Sequence, residues 1–370
     1  MFTVNRLKRI YWLLIINVIA LFSIGIAVQY SSAGGKWVPL AVHQLVIFSA
    51  FFILAIIMSF IELDFYQKHA YFFYTASIIL LLFVNFFGMH IMGATRWIRI
   101  GSINLQPSEF AKVGLILALA CYFDKQSVYK MMEFKKLLKA LIIIFLPVLL
   151  VLKQPNLGTA IIMLFVGASI IFTAIIKRSH LVICGTLGIF SVPAIWPFLR
   201  SYHKQRILSF LDSSVDPLGI GYNAQQSQIA IGSGGMFGKG FVNGSQSQLG
   251  FLPEKHTDFA FAVLSEEWGF LGSMALIFLY TTLLAIIFSI AYRSKNYFSK
   301  LVSIGVFAFF GAHFFINIGM TIGLLPVIGD PLPFLSYGGS TTSASLICIG
   351  LLLAIKANER DFKLNPQFYQ

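Results

Sequence analysis

Leu249-Gly-Phe-Leu-Pro-Glu-Lys-His-Thr-Asp-Phe-Ala-Phe-Ala-Val-Leu-Ser-Glu-Glu-Trp-Gly269 is the stretch on which the reading of this chain turns. It gathers Glu254, Lys255, His256 and Asp258, then runs directly into an apolar segment long enough to cross a bilayer. Only 11% of the chain is charged. Charge inside or at the mouth of a membrane span is costly and marks a pathway or a site.

That apolar segment is one of many. The chain is 58% hydrophobic, with 38 Phe and a mean hydropathy of +0.82, whereas soluble domains are about 45–50% apolar. A span needs about 20 apolar residues, and ten candidates fall near 10–28, 39–60, 70–92, 108–123, 137–152, 158–176, 180–199, 259–291, 301–324 and 334–356. The fourth and fifth are short. The eighth is long, so its first turns are expected to project from the bilayer. The expected fold is all-α: a polytopic membrane protein of ten transmembrane helices in one bundle, a single integral domain over 1–370. A large extracytoplasmic loop, 200–257, joins helices 7 and 8.

Lys and Arg collect on alternate connections, at Arg6, Lys8 and Arg9, from Lys125 to Lys139, at Lys177 and Arg178, from Arg293 to Lys300, and from Lys356 to Lys363. Cytoplasmic loops carry that excess, so both termini are expected in the cytoplasm and the loop 200–257 outside. The net charge of +13 expresses this topology and an affinity for anionic lipid headgroups. It does not form the single basic face that nucleic-acid binding requires. The first apolar segment exceeds the roughly 7–15 residues of a signal-peptide core and reads as a retained helix. Cys121, Cys184 and Cys348 lie in separate spans, where they read as small buried hydrophobes and not as a disulfide or zinc site.

Long loops in compact domains tend to be functional. This one has a basic-aromatic part (Tyr202, His203, Lys204, Arg206), an acidic turn (Asp212, Asp216, Pro217) and a Gly-, Gln- and Ser-rich stretch over 219–248. The last is expected to be irregular backbone lining an aqueous face. A phosphate loop is ruled out by Ser233 and Gly240, and a dinucleotide fingerprint by Phe237.

Four constellations carry chemistry. Glu109 and Lys112 share a helix face at the start of the fourth span, behind Pro107 and Ser108, which suit a helix start; they read equally as a self-satisfied ion pair or as substrate-facing groups. Lys153-Gln154-Pro-Asn-Leu-Gly-Thr159 offers a cation, an amide and a helix N-terminus that suit an anionic group such as a pyrophosphate, although such a Lys also commonly snorkels to the interface. The Pro- and Gly-rich segment 324–340, with Ser336, is non-helical backbone of the kind tolerated where it is buried or lines a cavity. Asp258 is the candidate general base, its basicity set by burial and nearby cations. Local physics alone favours a plainer role for Asp258 or Thr257, capping the eighth span. Glu266 and Glu267 read as anchors of that helix within the protein.

In order along the chain, Thr95-Arg-Trp97 with Gln106-Pro-Ser-Glu-Phe-Ala-Lys112, Lys153-Gln-Pro-Asn-Leu-Gly-Thr159, Phe251-Leu-Pro-Glu-Lys-His-Thr-Asp-Phe259 and Pro331-Leu-Pro-Phe-Leu-Ser-Tyr-Gly-Gly-Ser340 together resemble the SEDS family, the multispan proteins of shape, elongation, division and sporulation. The resemblance runs from the first span to Ala357, and Phe251-Leu-Pro with Glu266-Glu-Trp-Gly269 is closer to the elongation member than to the division member.

The resemblance implies a peptidoglycan glycosyltransferase in the bacterial cytoplasmic (inner) membrane. It would polymerise lipid II into glycan strands during cell elongation and rod-shape maintenance, releasing undecaprenyl pyrophosphate. Asp258 then matches the essential outer-loop acid, which overrides the capping preference. Glu109 and Lys112 match a polar pair facing a central cavity. With Lys153, Gln154, Arg206, Lys255 and Ser336 these form the expected substrate-binding set, and Lys112, Lys153, Arg206 and a divalent cation (Mg or Mn) are the counter-charges for the leaving group. Expected partners are a class B penicillin-binding protein transpeptidase and the rod-shape complex. The rival readings are a lipid II flippase, which needs a polar path but no general base, and a scaffold that only recruits the transpeptidase. Departures from the family pattern are Asp330 in place of an apolar residue, Thr341 after Ser340, and Ala260 after the Asp-Phe step.

Overall fold

Long apolar runs set the helices, with interior breakers at Pro147 and Gly269. In α1 (Trp12–Ser32) the buried residues Leu14, Ile15, Val18, Leu21, Phe22, Gly25 and Val28 recur every three to four positions, while Leu13, Ile16 and Ile19 are exposed on the other side. A helix apolar all round, buried along one stripe only, is what a lipid-facing span requires. The computed structural model describes residues 11–91, 94–100, 103–125, 134–174, 201–211 and 219–364. The expected seventh span at 180–199, the basic residues within 1–10 and the acidic turn within 212–218 lie outside the described residues.

After α1 come α2 (Leu40–Met58), α3 (Leu63–Phe87), a small sheet of β1 (Met89–Ile91), β2 (Ala94–Ile100) and β3 (Ile103–Leu105), then α4 (Pro107–Asp124), α5 (Phe134–Lys153) and α6 (Leu157–Ala174). The chain continues with α7 (Ser201–Leu211), α8 (Ile220–Ser233), α9 (Ser245–Gln248), α10 (Ala260–Arg293), α11 (Tyr297–Thr321) and α12 (Gly339–Leu364). Seven of the described helices are long and apolar enough to cross a membrane. Helices α4 and α5 are not among them: α4 carries Glu109, Lys112 and Asp124, and α5 carries Lys135, Lys136, Lys139 and Lys153. Buried almost throughout, α4 forms the centre with α11 and α12, and α2 and α3 lie outside them with most of their surface exposed.

Two features depart from the expected architecture. The antiparallel meander β1-β2-β3, in register His90 to Thr95 and Arg99 to Asn104, occupies what reads in sequence as a plain connection between spans. The Gly-rich stretch is not irregular throughout, since residues 220–233 form α8.

The remainder of that stretch has a definite task. Helix α10 is broken at Gly269 (φ 68°, ψ −160°), a backbone region open essentially to glycine alone. The segment 235–240 fills the break. Lys239 N donates to Glu266 O at 3.0 Å and Gly240 N to Glu267 O at 3.1 Å, while Phe270 N donates to Gly235 O at 2.8 Å and Leu271 N to Met236 O at 3.2 Å. A Cβ on Gly234 would overlap the Ser265 carbonyl and one on Gly238 the Glu267 carbonyl, while Gly235 and Gly240 take positive φ of 56° and 98°. The first turns of α10 are accordingly buried in protein, Ala260 to Ser265 included.

Candidate active site

Around Asp258 the end of α1 and the last turns of α11 meet the start of α10, and the starts of α4 and α6 reach the neighbouring Asp330. The turn ahead of α10 closes through Thr257 N to Glu254 O at 3.1 Å and Phe259 N to Glu254 O at 3.3 Å. Its His256 carbonyl accepts from Gln29 Nε2 of α1 at 3.0 Å and from Tyr337 N at 2.8 Å, and His256 Nδ1 lies 3.0 Å from Ser32 Oγ. Asp258 is thus held by its backbone, and its carboxylate is left to other work. The capping expectation is not met. The N-cap of α10 is Phe259, without a side-chain cap bond, and the Thr257 hydroxyl turns back to Glu254.

Asn317 of α11 fixes two loops at once, its Nδ2 donating to Asp258 O at 3.0 Å and to Asp330 O at 2.8 Å. Between those two aspartates in space lies Gly329 (φ +79°): a Cβ there would stand 3.0 Å from Asp258 Oδ2 and 3.7 Å from Arg206 Nη1. Glycine therefore lets a carboxylate and a guanidinium converge on one stretch of backbone, and Arg206 itself donates to the Ile328 carbonyl. Burial pushes the half-buried Asp258 carboxyl up from 3.8 to about 6, helped by the Glu254 charge and opposed by Arg206 and Arg96. A carboxyl in that range exchanges a proton readily near neutrality, as a general base must. Beside Arg206 opens a cavity of about 330 Å³ between α7, α8 and the segment after α11, lined by Ser209, Gln225, Gln228, Leu325 and Val327 among others.

Beneath Asp258 lies a sealed layer of charge. Lys112 and Glu109, 0% and 1% exposed, form an ion pair at 2.7 Å. Lys112 Nζ also lies 2.9 Å from His313 Nε2 and 5.1 Å from the Phe309 ring centroid. His313 Nδ1 faces the Pro331 carbonyl at 3.1 Å; a carbonyl only accepts, so Nδ1 carries the proton and Nε2 accepts from the ammonium. The chain Glu109, Lys112, His313, Pro331 ties the ion pair to the loop that bears Asp330. The Asp330 carboxylate lies against Gly158 at the N-terminus of α6, with Thr159 Oγ1 3.4 Å from its Oδ1. That helix end, which the sequence offers to an anionic group of a ligand, is taken by the protein's own carboxylate, where the helix dipole favours it.

The other expected contacts are dispersed. Gln154 is buried, with its Nε2 on Leu81 O at 3.0 Å and its carbonyl accepting from Arg96 Nε at 3.1 Å. Lys153 is exposed at the end of α5. Lys255 reaches the Ser247 carbonyl, and burial lowers its pKa against the pull of Glu267. Ser336 Oγ accepts from Leu332 N at 2.9 Å inside a buried turn. Glu266 gathers Lys239 Nζ (2.8 Å), Gln246 N (2.8 Å) and Ser247 N (3.1 Å), an anchor as its sequence suggests. Among the described residues no three His, Cys, Asp or Glu side chains group closely enough to hold a metal ion.

Asn317 and Gly329 escape a reading by motif. His313, Asn317 and Thr321 repeat at every fourth residue of an apolar helix and are all buried, and that polar stripe was the available signal for Asn317. No comparable signal marks Gly329, whose neighbours Asp258 and Arg206 come from two distant segments.

Fold and site together define a polytopic helical membrane protein with a half-buried carboxylate beside a guanidinium at one end of its central helices. The family model for FtsW, RodA and SpoVE, described as cell cycle protein, matches residues 5–361; the chain belongs to that family. It is 36% identical over 368 residues to the peptidoglycan glycosyltransferase MrdB of Escherichia coli K12, covering 97% of this chain and 98% of that one. A solved chain from a peptidoglycan synthase complex, studied for the coordination of polymerization and crosslinking, superposes with a TM-score of 0.83 at 32% identity, covering 94% of this chain and 98% of that one. The Rod shape determining protein RodA of Thermus thermophilus superposes with a TM-score of 0.71 at 29% identity, covering 94% and 96%.

Proposed function

We propose that this protein is a peptidoglycan glycosyltransferase that polymerises lipid II during cell elongation. The Asp258 carboxylate takes the proton from the acceptor sugar's 4-hydroxyl as that oxygen bonds to the donor's anomeric carbon. The bond from that carbon to the pyrophosphate oxygen breaks with inversion, and undecaprenyl pyrophosphate leaves. The observation that carries this reading is the convergence of the Asp258 carboxylate and the Arg206 guanidinium on Gly329, with Arg206 lining a cavity beside them. The MrdB relative, named a peptidoglycan glycosyltransferase, supports it.

Arg206, on the cavity wall, is the counter-charge for the departing pyrophosphate. Lys153 is exposed and free of the core, and joins it as an approach contact for the anionic lipid. Glu109 and Lys112 support the site through His313 and the 329–331 backbone. Gln154, Lys255 and Ser336 hold the loops that shape it.

The ten-span bundle, a single integral domain over 1–370 with the loop 200–257 between spans 7 and 8, and a cytoplasmic-membrane location with both termini inside belong to the same reading. The Lys and Arg distribution supports them. A class B penicillin-binding protein within the rod-shape complex is the proposed partner, an inference that leans on the similarity to a chain of a peptidoglycan synthase complex. Purified protein supplied with lipid II tests the function: glycan strands are expected, and their absence from folded protein would overturn it.

A further inference from the structure

Asp330 is a second carboxyl beside the proposed base, and the reaction as derived does not use it. It is 3% exposed, and its Oδ2 has no hydrogen-bond partner. An ionised carboxylate seeks donors for all its lone pairs, and a buried one left short of them favours its protonated form. The position is also tied to Asp258, since one Asn317 amide holds both backbone carbonyls and a Cβ on Gly329, next to Asp330 in the chain, would stand 3.0 Å from Asp258 Oδ2.

The groups facing Asp330 come from every neighbouring element: Thr159 from α6, Lys112 and Glu109 from α4, His313 and Asn317 from α11, Asp258 from the turn before α10, and Arg96 from β2. Burial dominates, Glu109 and Asp258 add to it, and Lys112, Arg96 and the N-terminus of α6 oppose, and the carboxyl is pushed up to about 7; Asp258, half-buried and with Arg206 beside it, is the more readily ionised of the two. Two interacting carboxyls separated in this way lose their protons in two steps.

We propose that Asp330 is a positioning residue that keeps its own proton while Asp258 is ionised, and so confines activity to the interval between the two ionisations. This rests on Asp258 being the base. Below the interval Asp258 is protonated and accepts nothing. Above it, a second negative charge stands beside the base and repels the anionic pyrophosphate, so substrate binding weakens and KM rises.

The test is the pH profile of kcat/KM for lipid II polymerisation by the purified full chain. Wild type should rise through about pH 6 and fall above about pH 7, losing about tenfold by one unit beyond the second ionisation. Asp330→Asn, a near-isostere of the protonated carboxyl, should keep the acid limb and lose the alkaline one. Thr159→Val removes the hydroxyl that favours the ionised form, and should move the alkaline limb to higher pH with the acid limb in place. Substrate ionisation affects all three proteins alike and cancels in the comparison. An alkaline limb unchanged in either variant overturns the proposal. Failure of the underlying reading shows separately, as polymerisation by Asp258→Asn at the native rate.

Discussion

Glu109 and Lys112 match a family pair expected to face a cavity, yet both are sealed in the centre of the protein. If they act as supports, Lys112→Met should be costly in a particular way. It removes the 2.7 Å partner of Glu109 Oε1, and Glu109 Oε2 already lacks a partner, so the whole carboxylate is stranded. Breaking a buried pair from one side costs about 3–5 kcal/mol, whereas replacing both members by neutral groups of similar volume is often close to neutral. Glu109→Gln alone strands the ammonium less completely, because His313 Nε2 remains 2.9 Å away, and should cost about 1–3 kcal/mol, the penalty of a buried polar group left short of partners. The double variant should recover much of the Lys112→Met loss. Unfolding in mild detergent, followed by helical circular dichroism under SDS titration, reads the cycle, and lipid II polymerisation is measured in parallel. Additive single costs, or full stability in Lys112→Met with activity abolished, would refute a supporting role and return the pair to the substrate.

Other consequences are as specific. Gly269→Ala forces a side chain into φ 68°, ψ −160°, at about 1–3 kcal/mol of backbone strain, and pushes its Cβ into residues 236–238; increased protease cleavage between 234 and 244 checks this. Arg206→Gln removes the cation nearest Asp258 that lines the cavity; the acid limb of the rate profile should move upward and the KM for lipid II should rise. Asp330 also links stability to pH. Its carboxyl rises from 3.8 to about 7, so the native state holds that proton more tightly than the unfolded chain. Its stabilising contribution is complete below about pH 4, and roughly 4 kcal/mol of it is lost as pH climbs to about 7. Asp330→Asn should therefore flatten the stability profile over that window, as measured by the same detergent unfolding.

Much of the helical architecture was legible because a bilayer imposes long apolar runs, and α1, α2, α6, α11 and α12 lie close to the expected spans. The start of α4 was equally legible: Pro107 occupies its first turn. What escaped depended on segments far apart in sequence. The meander around Arg96 is too short and mixed to announce itself. The glycines at 234–240 look like a flexible or phosphate-cradling loop until the break at Gly269 is seen to need them. Asp258 was legible as chemistry, and its capping reading was reasonable locally. It fails because Phe259 takes the capping position and the Gln29 and Tyr337 bonds fix the turn otherwise. Arg206 was singled out from its sequence, but nothing in the 200–257 loop reveals that it converges with Asp258 on Gly329, a position more than a hundred residues later.

The central claim is that the Asp258 carboxylate is the base of glycan polymerisation. The most direct measurement is the initial rate of lipid II polymerisation by purified, folded Asp258→Asn beside wild type at the same pH. The amide keeps the shape and the backbone bonds but accepts no proton, so the rate should fall roughly 10²–10⁴-fold with lipid II binding largely retained. Polymerisation near the wild-type rate would contradict the account and leave Asp258 a structural residue.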